Sequence, residues 1–263
     1  MQTARPVVLS FSGHDPCGGA GVQADIEVLV SHKCHAASVI TSLTAQDTRN
    51  VQQIYPQAAA AFKQQARLLL NDLPVRVIKI GLIGSEELVL AIQDVIKEYP
   101  HIPVVLDPIL AAGGGTPMAS SAVRQAIMDC LLPLSLVLTP NSDEARQLTQ
   151  LTDLGDCGQA LLAAGCRNVL LTGTHEQSQT VCNQLFRQDQ VPEQFYWERL
   201  PHSYHGSGCT LAASIAALIA HGLDLFVAIS EAQEYTWNAL KAGYLPGQGQ
   251  YNPNRFFWVE ADA

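Results

Sequence analysis

Basic side chains are scarce in this sequence. The chain has 263 residues, with 15 lysines and arginines against 24 aspartates and glutamates, which gives a formal charge of −9 at pH 7. A protein that neutralises nucleic-acid phosphates or anionic lipid headgroups needs a block rich in lysine and arginine, and the sequence has none. We therefore expect a small-molecule ligand, with no nucleic-acid partner and no membrane partner.

Long apolar segments and paired cysteines are missing as well. The longest stretch of small residues, 210–220, contains Ser214 and ends before His221, so it falls short of the ~20 apolar residues of a membrane span. The apolar run after Arg5 is too short for the core of a signal peptide. Seven scattered cysteines without a CxxC pair are typical of a reducing compartment, and we expect a cytoplasmic protein.

Short β-branched segments alternate with helical patterns along the chain. In the first helical pattern Ile26, Leu29 and Val30 mark an apolar face. The predicted strands are 7–11, 37–43, 75–80, 104–106, 136–138 and 169–171, with a hairpin at 181–186 and 195–200, and the later helices are 58–73, 86–99, 120–132, 144–151, 209–220 and 224–242. This rhythm predicts an α/β fold with a mostly parallel central sheet and helices on both faces. No linker or internal repeat divides the chain, so residues 1–263 are predicted to form one domain.

A glycine-rich turn at 12–21, SGHDPCGGAG, follows the first predicted strand. Open parallel sheets bind ligands beyond the carboxyl ends of their strands, so such a turn is a candidate binding element. Neither GxxxxGK[ST] nor GxGxxG is present, which argues against a conventional phosphate loop or dinucleotide fold.

A second turn, HGSGCT at 205–210, leads into an apolar helix with a buried stripe predicted at Leu211, Ile215, Leu218 and Ile219. The unpaired amides and the dipole at such a helix start attract an anion without any lysine. The same dipole lowers the pKa of a thiol, so Cys209 is the cysteine whose position favours the thiolate.

Six motifs, in this order and spacing, resemble the hydroxymethylpyrimidine/phosphomethylpyrimidine kinases of thiamin biosynthesis, within the ribokinase-like superfamily. They are SGHDPCGGAGVQADIEVL, VITSLTAQDTRNV, KIGLIG, VVLDPIL, LTPNSDEA and HGSGCTLAASIAALIA. The resemblance extends from about residue 7 to the Gly/Pro/Asn-rich tail at 246–254. It implies a ribokinase-like three-layer sandwich and one kinase domain over 1–263. It also implies phosphoryl transfer from ATP to 4-amino-5-hydroxymethyl-2-methylpyrimidine and to its monophosphate.

The resemblance also assigns the phosphoryl-transfer and pyrimidine sites. It places the amides of Gly206, Ser207, Gly208 and Cys209 around the moving phosphoryl group, with Cys209 as the candidate base for the hydroxyl proton. Gln46 can both donate to and accept from an aminopyrimidine edge. The family pattern puts Asp25 near the reacting hydroxymethyl group, and it encloses the ring with Gly13, Leu82 and Ile109.

Oxygen ligands are predicted where two neighbouring strands end. Asp107 follows one strand, and Asn141 and Glu144 follow the next, so they project from the same sheet edge and suit Mg²⁺ beside the ATP phosphates. Asn141 and Glu144 also have the spacing of a helix capping box, and both interpretations can hold together. Many relatives have lysine in the ATP site where this chain has Thr172, which predicts either a weaker nucleotide affinity or phosphate binding by other groups.

Three alternatives stay open on the sequence alone. The first is a pyridoxine or pyridoxal kinase of the same fold, because its substrate is also a hydroxymethyl-bearing heteroaromatic ring. The second is a non-catalytic pyrimidine sensor, which the threonine at 172 favours. The third is a thiol hydrolase that pairs Cys209 with His205. Relatives are often dimers, so a homodimer is possible.

Overall fold

One mixed sheet of nine strands runs through residues 5–260, the part of the chain that the computed structural model describes. The strand order is β3-β2-β1-β4-β5-β6-β7-β8-β9. The pairs from β2 to β7 are parallel, whereas β3 on one edge and β8 and β9 on the other are antiparallel. The strands are β1 (Val7–His14), β2 (His35–Gln46), β3 (Val51–Pro56), β4 (Val75–Ile80), β5 (Val104–Leu106), β6 (Val137–Leu138), β7 (Asn168–Leu171), β8 (Thr180–Arg187) and β9 (Glu193–Glu198).

Helices cover both faces of this sheet and give the molecule two apolar cores. One core lies under α2 to α6 and includes Phe11, Phe62 and Ile92, and the other lies under α1, α7 and α8 and includes Val77 and Ile215. The predicted three-layer α/β arrangement is confirmed. The helices are α1 (Gly21–Ser31), α2 (Ala59–Asp72), α3 (Glu86–Glu98), α4 (Ser121–Ala126), α5 (Ser142–Thr149), α6 (Leu154–Ala163), α7 (Ser207–Ala220), α8 (Leu225–Lys241) and α9 (Phe257–Glu260).

The boundaries of regular structure differ from prediction in a few places. Strands β4 and β5 have the predicted limits, whereas β3 and α6 were not predicted. The helix expected over 120–132 is α-helical only to Ala126 and continues as a π-helical turn and a short 3₁₀ turn that contains Pro133. Proline has no amide hydrogen to donate to the carbonyl four residues earlier, so a regular α-helix cannot continue through Pro133.

The apolar face predicted for α1 is wrong at two of its three residues. Ile26 and Val30 are 40% and 45% exposed, whereas Leu29 is buried. The helix turns Val28 and the carboxylate of Asp25 inward instead. A buried aspartate on this helix requires cationic or hydroxyl partners. Those partners lie on strands of the sheet rather than on α1.

Helix α7 packs between the sheet and its neighbouring helices. Leu211 and Ile215 of the predicted stripe are buried, Leu218 and Ile219 are half-buried, and alanines fill most of the remaining surface. A helix that is apolar on nearly all sides belongs inside a protein. Within residues 5–260, none of the helices has the length and apolarity to cross a membrane.

Candidate active site

A cleft of about 920 Å³ opens where the parallel strands end. Loops after β1, β5, β6 and β7 form its walls together with the start of α7. Every residue predicted for the site except Asp25 lies on it, namely Gly13, Gln46, Leu82, Asp107, Ile109, Asn141, Glu144, Thr172, Gly206, Ser207, Gly208 and Cys209. The fold therefore brings the two ends of the candidate site into one cavity.

Helix α7 begins at a turn that only glycine accommodates. Gly206 has φ +81°, and a Cβ atom there would lie 1.9 Å from the carbonyl oxygen of Gly19. Among the described residues, no side chain caps this helix start. The first amides of α7 therefore face the cleft without a helical partner, as an anion site requires.

The expectation that Cys209 favours the thiolate is wrong for this structure. Burial raises the pKa of the Cys209 thiol to about 12, although the nearby charge of Lys79 and a hydrogen bond from the Gly21 amide lower it. Asp107 and Asp25 raise it further by repulsion. Desolvation of the thiolate outweighs the helix dipole here, so the thiol is protonated at neutral pH.

Asp15, which the sequence analysis did not select, organises the first glycine-rich turn. Its carboxylate accepts hydrogen bonds from the amides of Cys17, Gly19 and Ala20, and it lies 2.9 Å from Nε2 of His205. Burial raises the pKa of Asp15, but the His205 and amide hydrogen bonds outweigh burial and hold it below its usual range. Aspartate before a proline and several glycines is a turn signal that could have identified it.

Two buried carboxyl groups stand between the ends of the cleft. Burial raises the pKa of Asp107 to about 6, against the lowering effect of Lys79, and it raises the pKa of Glu144 to about 8. Glu144 accepts from the amides of Asn141 at 2.9 Å and Leu110 at 3.3 Å, while Asn141 Oδ1 accepts from the Glu144 amide. The capping box predicted as one interpretation of Asn141 and Glu144 is therefore present.

Another wall of the cleft presents a side-chain amide. Gln46 lies next to a bulge between β2 and β3, which directs its side chain into the cleft. Its Nε2 donates to the hydroxyl of Thr44 at 2.6 Å, which in turn donates to the carbonyl of His14. Leu82 packs closely against Gly13: a Cβ atom on Gly13 would lie 2.9 Å from Cδ2 of Leu82. The wall thus combines an anchored amide with an apolar surface.

Asp25 lies beneath the cleft rather than on its wall. It is fully buried, with Lys79 Nζ 2.9 Å from its Oδ1, and Oδ2 accepts from the hydroxyls of Ser10 and Ser12 at 2.5 Å. This placement differs from the predicted position beside the reacting hydroxymethyl group. The Asp25 carboxylate points into the protein because Lys79, on β4, supplies its counter-charge. No signal in the sequence paired these two residues.

The remaining wall holds the loop after β7. Thr172 pairs with Asn141 across a parallel bridge, so two of the predicted ATP-binding residues are adjacent. Arg199 donates to the carbonyls of Thr174, Glu176 and Ser178, each at 2.8 Å. Among residues 5–260, Arg199 is the only lysine or arginine on the cleft wall, and no motif in the sequence marks it.

The donor set can be compared with the needs of a divalent cation. Oδ2 of Asp107 is buried, and none of the described residues forms a hydrogen bond with it. Over the described range, no three His, Cys, Asp or Glu side chains converge as a metal-binding group. Mg²⁺ retains several waters and shares phosphate oxygens of a nucleotide, so one open carboxylate oxygen fits this cation.

Comparison with known proteins identifies the family of this chain. The model of a family described as phosphomethylpyrimidine kinase matches residues 15–254. The chain belongs to this family. A hydroxymethylpyrimidine/phosphomethylpyrimidine kinase of Streptomyces coelicolor is 34% identical over 255 residues, which cover 93% of this chain and 92% of the relative. One of Rhizobium meliloti is 35% identical over 90% of this chain and 91% of the relative.

Solved structures agree with the family assignment. The chain is similar to Bacillus subtilis pyridoxal kinase in its ADP complex, with a TM-score of 0.90 and 25% identity over 98% of this chain and 99% of the other. It is also similar to a phosphomethylpyrimidine kinase from Clostridium difficile, with a TM-score of 0.79 and 27% identity over 90% and 100%. The ribokinase-like fold is confirmed. As a phosphomethylpyrimidine kinase family member, the chain is an enzyme with ATP as co-substrate and a small molecule as acceptor, which disfavours the sensor and the hydrolase.

Proposed function

We propose that this protein transfers the γ-phosphoryl group of ATP to the hydroxymethyl oxygen of 4-amino-5-hydroxymethyl-2-methylpyrimidine, and a second phosphoryl group to the resulting monophosphate. Both steps belong to thiamin biosynthesis. The observation that carries the proposal is the shared cleft, which has the Gln46 amide on one wall and the start of α7 on another. The similar kinases of Streptomyces coelicolor and Rhizobium meliloti, which are hydroxymethylpyrimidine/phosphomethylpyrimidine kinases, support the same chemistry.

Acceptor binding follows from the anchored amide. Because Nε2 of Gln46 is held by the hydroxyl of Thr44, the side-chain amide has a fixed orientation, and its oxygen is available to the exocyclic amine of an aminopyrimidine. Gly13, Leu82 and Ile109 give the ring an apolar surface. The pocket therefore binds a flat heterocycle and directs its hydroxymethyl group toward α7.

Phosphoryl transfer needs alignment and charge stabilisation more than covalent chemistry. The amides of Ser207, Gly208 and Cys209 supply a positive site for the developing charge. Cys209 is proposed to accept the hydroxyl proton. Because its thiol is protonated, it passes its own proton to the nearby carboxylate of Asp107 as it receives the new one. Sulfur then stays neutral throughout.

Magnesium is part of the proposal. Asp107, through its open Oδ2, and Glu144 would hold the cation near Asn141 and Thr172. A cation held by these residues would neutralise charge on the nucleotide phosphates. The raised pKa values of both carboxyl groups fit such a site, because a cation restores the charged forms that burial disfavours.

A pyridoxal kinase remains the second candidate, and the similarity to the Bacillus subtilis enzyme favours it. Side-by-side kinetics with both acceptors decide between the two, because kcat/KM measures discrimination in the transition state. We expect a large preference for the pyrimidine. A preference for pyridoxal would overturn the assignment, and absence of pyrimidine-dependent ADP formation with Mg²⁺ would refute it.

We further propose one kinase domain over residues 1–263 and a homodimer. All described strands share one sheet, which supports the single domain.

The edge strand β3 and its neighbour β2 expose the facing pair Leu43 and Tyr55, which are 42% and 52% exposed. An apolar pair on a sheet edge suits a second copy of the chain. Light scattering should give twice the monomer mass and show a loss of the dimer in Tyr55→Glu.

A further inference from the structure

Arg255 follows the Gly/Pro/Asn-rich tail, and it is buried with an exposed fraction of 2%. Its guanidinium donates to three separate elements. Nη2 lies 2.5 Å from the carbonyl oxygen of Gly19, Nε lies 3.0 Å from Oγ1 of Thr210, and Nη1 lies 2.8 Å from Oε2 of Glu27. The side chain thus joins the end of the chain to the first glycine-rich turn, α7 and α1.

Two of these partners hold the turn at Gly206. The hydroxyl of Thr210 donates to the Gly206 carbonyl at 2.8 Å, and the Thr210 amide donates to the same oxygen at 2.9 Å. On the other side, the Gly19 carbonyl fills the space that a Cβ atom on Gly206 would occupy, and Nη2 of Arg255 lies 2.9 Å from that position. Arg255 therefore contacts both sides of the turn from which the anion site starts.

These contacts close into a ring. The Gly19 amide donates to Oδ2 of Asp15 at 2.9 Å, and the same oxygen lies 2.9 Å from Nε2 of His205. His205 is covalently joined to Gly206, and the ring returns through Thr210 to Arg255. Removing one member of such a closed network releases the geometry of the others.

The charge of Arg255 is also opposite to what helix stability alone favours. A helix start is stabilised by acidic groups, because its dipole is positive there. The first turn of α7 has no acidic residue, and the buried guanidinium adds positive charge beside it. Its counter-ion, Glu27, is 41% exposed and lies on α1 rather than in the cleft. With Arg255 beside it, the start of α7 attracts an anion more strongly than the helix dipole alone would.

We propose that Arg255 is a positioning residue for phosphoryl transfer, which holds the Gly206 turn against the first glycine-rich loop and strengthens the positive potential at the start of α7. The proposal rests on the kinase function proposed above. It gives the end of the chain a role in turnover without contact to substrate.

Steady-state kinetics of Arg255→Gln and Arg255→Lys test this role. We expect kcat to fall on the order of 10- to 100-fold in Arg255→Gln, as for a displaced catalytic element, with KM for both substrates within about twofold. Arg255→Lys keeps the charge but loses the forked geometry, so it should recover part of kcat. Arg76→Gln is the matched control, because Arg76 donates to the Ala220 carbonyl at the other end of α7. An unchanged kcat in folded Arg255→Gln, or an equal loss in the control, would overturn the proposal.

A double-mutant cycle with Thr210→Val tests the ring itself. Coupled members should give non-additive losses, so the double variant should be no slower than the worse single variant. Fully additive losses would contradict the ring.

Amide hydrogen exchange gives a readout that does not depend on the reaction. In Arg255→Gln the amides of residues 206–210 should exchange faster, while those near Ala220 keep their rates. Unchanged rates at 206–210 would refute the positioning role even if turnover falls. If the unaltered protein shows no pyrimidine-dependent turnover but exchange behaves as expected, the kinase proposal fails and the structural coupling stands.

Discussion

The two halves of the cleft are built from different interactions. On the side where we propose that the acceptor binds (the acceptor side), buried groups such as Asp15 and Arg255 hold backbone atoms through short hydrogen bonds. On the side where we propose that ATP binds (the nucleotide side), partly exposed pairs such as Arg146–Glu176 at 2.7 Å and His175–Asp143 at 3.1 Å hold the walls. Buried networks fix geometry, whereas exposed ion pairs are screened and contribute little. We therefore expect changes around the start of α7 to alter kcat, and changes on the nucleotide side to alter KM for ATP.

Gly206→Ala should have the largest effect. The new Cβ atom would collide with the Gly19 carbonyl, and the φ of +81° disfavours alanine, so the α7 amides must move. We expect kcat to fall on the order of 100-fold or more. Gly222→Ala is the matched control, since Gly222 ends the same helix with φ +88° and nothing within 4 Å of a Cβ atom. That variant should lose about 1 kcal/mol of stability and keep its kcat. Equal losses of kcat in both variants would contradict the account.

Asp107→Asn tests the group between the two halves. We expect a large loss of kcat, because the open carboxylate oxygen and the proposed proton route are both lost. Without ligand the variant should be more stable at pH 8. The folded pKa of about 6 exceeds the reference value of 3.8, so the parent protein loses stability, on the order of 3 kcal/mol, as pH rises from about 4 to about 6.

Thermal unfolding at several pH values measures this effect. The stability gain of Asp107→Asn should be largest above pH 6 and should disappear near pH 4. Asp129→Asn is the control, because Asp129 is exposed and its carboxylate accepts a hydrogen bond from the side chain of Gln125. This variant should show no such trend. A gain that does not depend on pH would contradict the interpretation that burial raises the pKa of Asp107.

Gln46→Ala tests whether Gln46 binds the pyrimidine on the acceptor side. Loss of a pyrimidine contact should raise KM for the pyrimidine on the order of 10-fold, with a smaller change in kcat, because a buried hydrogen bond is worth about 1–3 kcal/mol. Gln53→Ala, at an exposed residue of the neighbouring strand, should leave both constants unchanged. An unchanged KM in Gln46→Ala would remove this residue from the acceptor pocket.

Arg199→Gln addresses the nucleotide side and should have the smallest effect. The loop at 174–178 loses three hydrogen bonds, so KM for ATP should rise a few-fold, with pyrimidine KM and kcat preserved. Thr172→Lys, in the same background, should restore part of the ATP affinity by placing an ammonium near the phosphates. Arg167→Gln, at an exposed arginine, is the control. A fall in kcat without a change in KM for ATP would remove the contrast between the two halves.

Local patterns in the sequence predicted much of this fold and most of the cleft wall. The buried runs at 75–80 and 104–106 specified β4 and β5, and the turn at 205–210 specified the start of α7. A buried thiol at Cys209 was one of the two alternatives that the sequence left open, but its raised pKa was not predictable, because it depends on how several elements pack around one thiol. Likewise, Lys79 is 54 residues from its partner Asp25, and Arg255 is 236 residues from Gly19. Such long-range pairs leave no periodic signal in one sequence.

A crystal structure with the hydroxymethylpyrimidine, Mg²⁺ and a non-hydrolysable ATP analogue tests the central claim most directly. We expect the pyrimidine to lie against Gln46, with its hydroxymethyl oxygen facing the γ-phosphate at the amides of residues 207–209. A pyrimidine bound away from Gln46, or a γ-phosphate far from the start of α7, would contradict it.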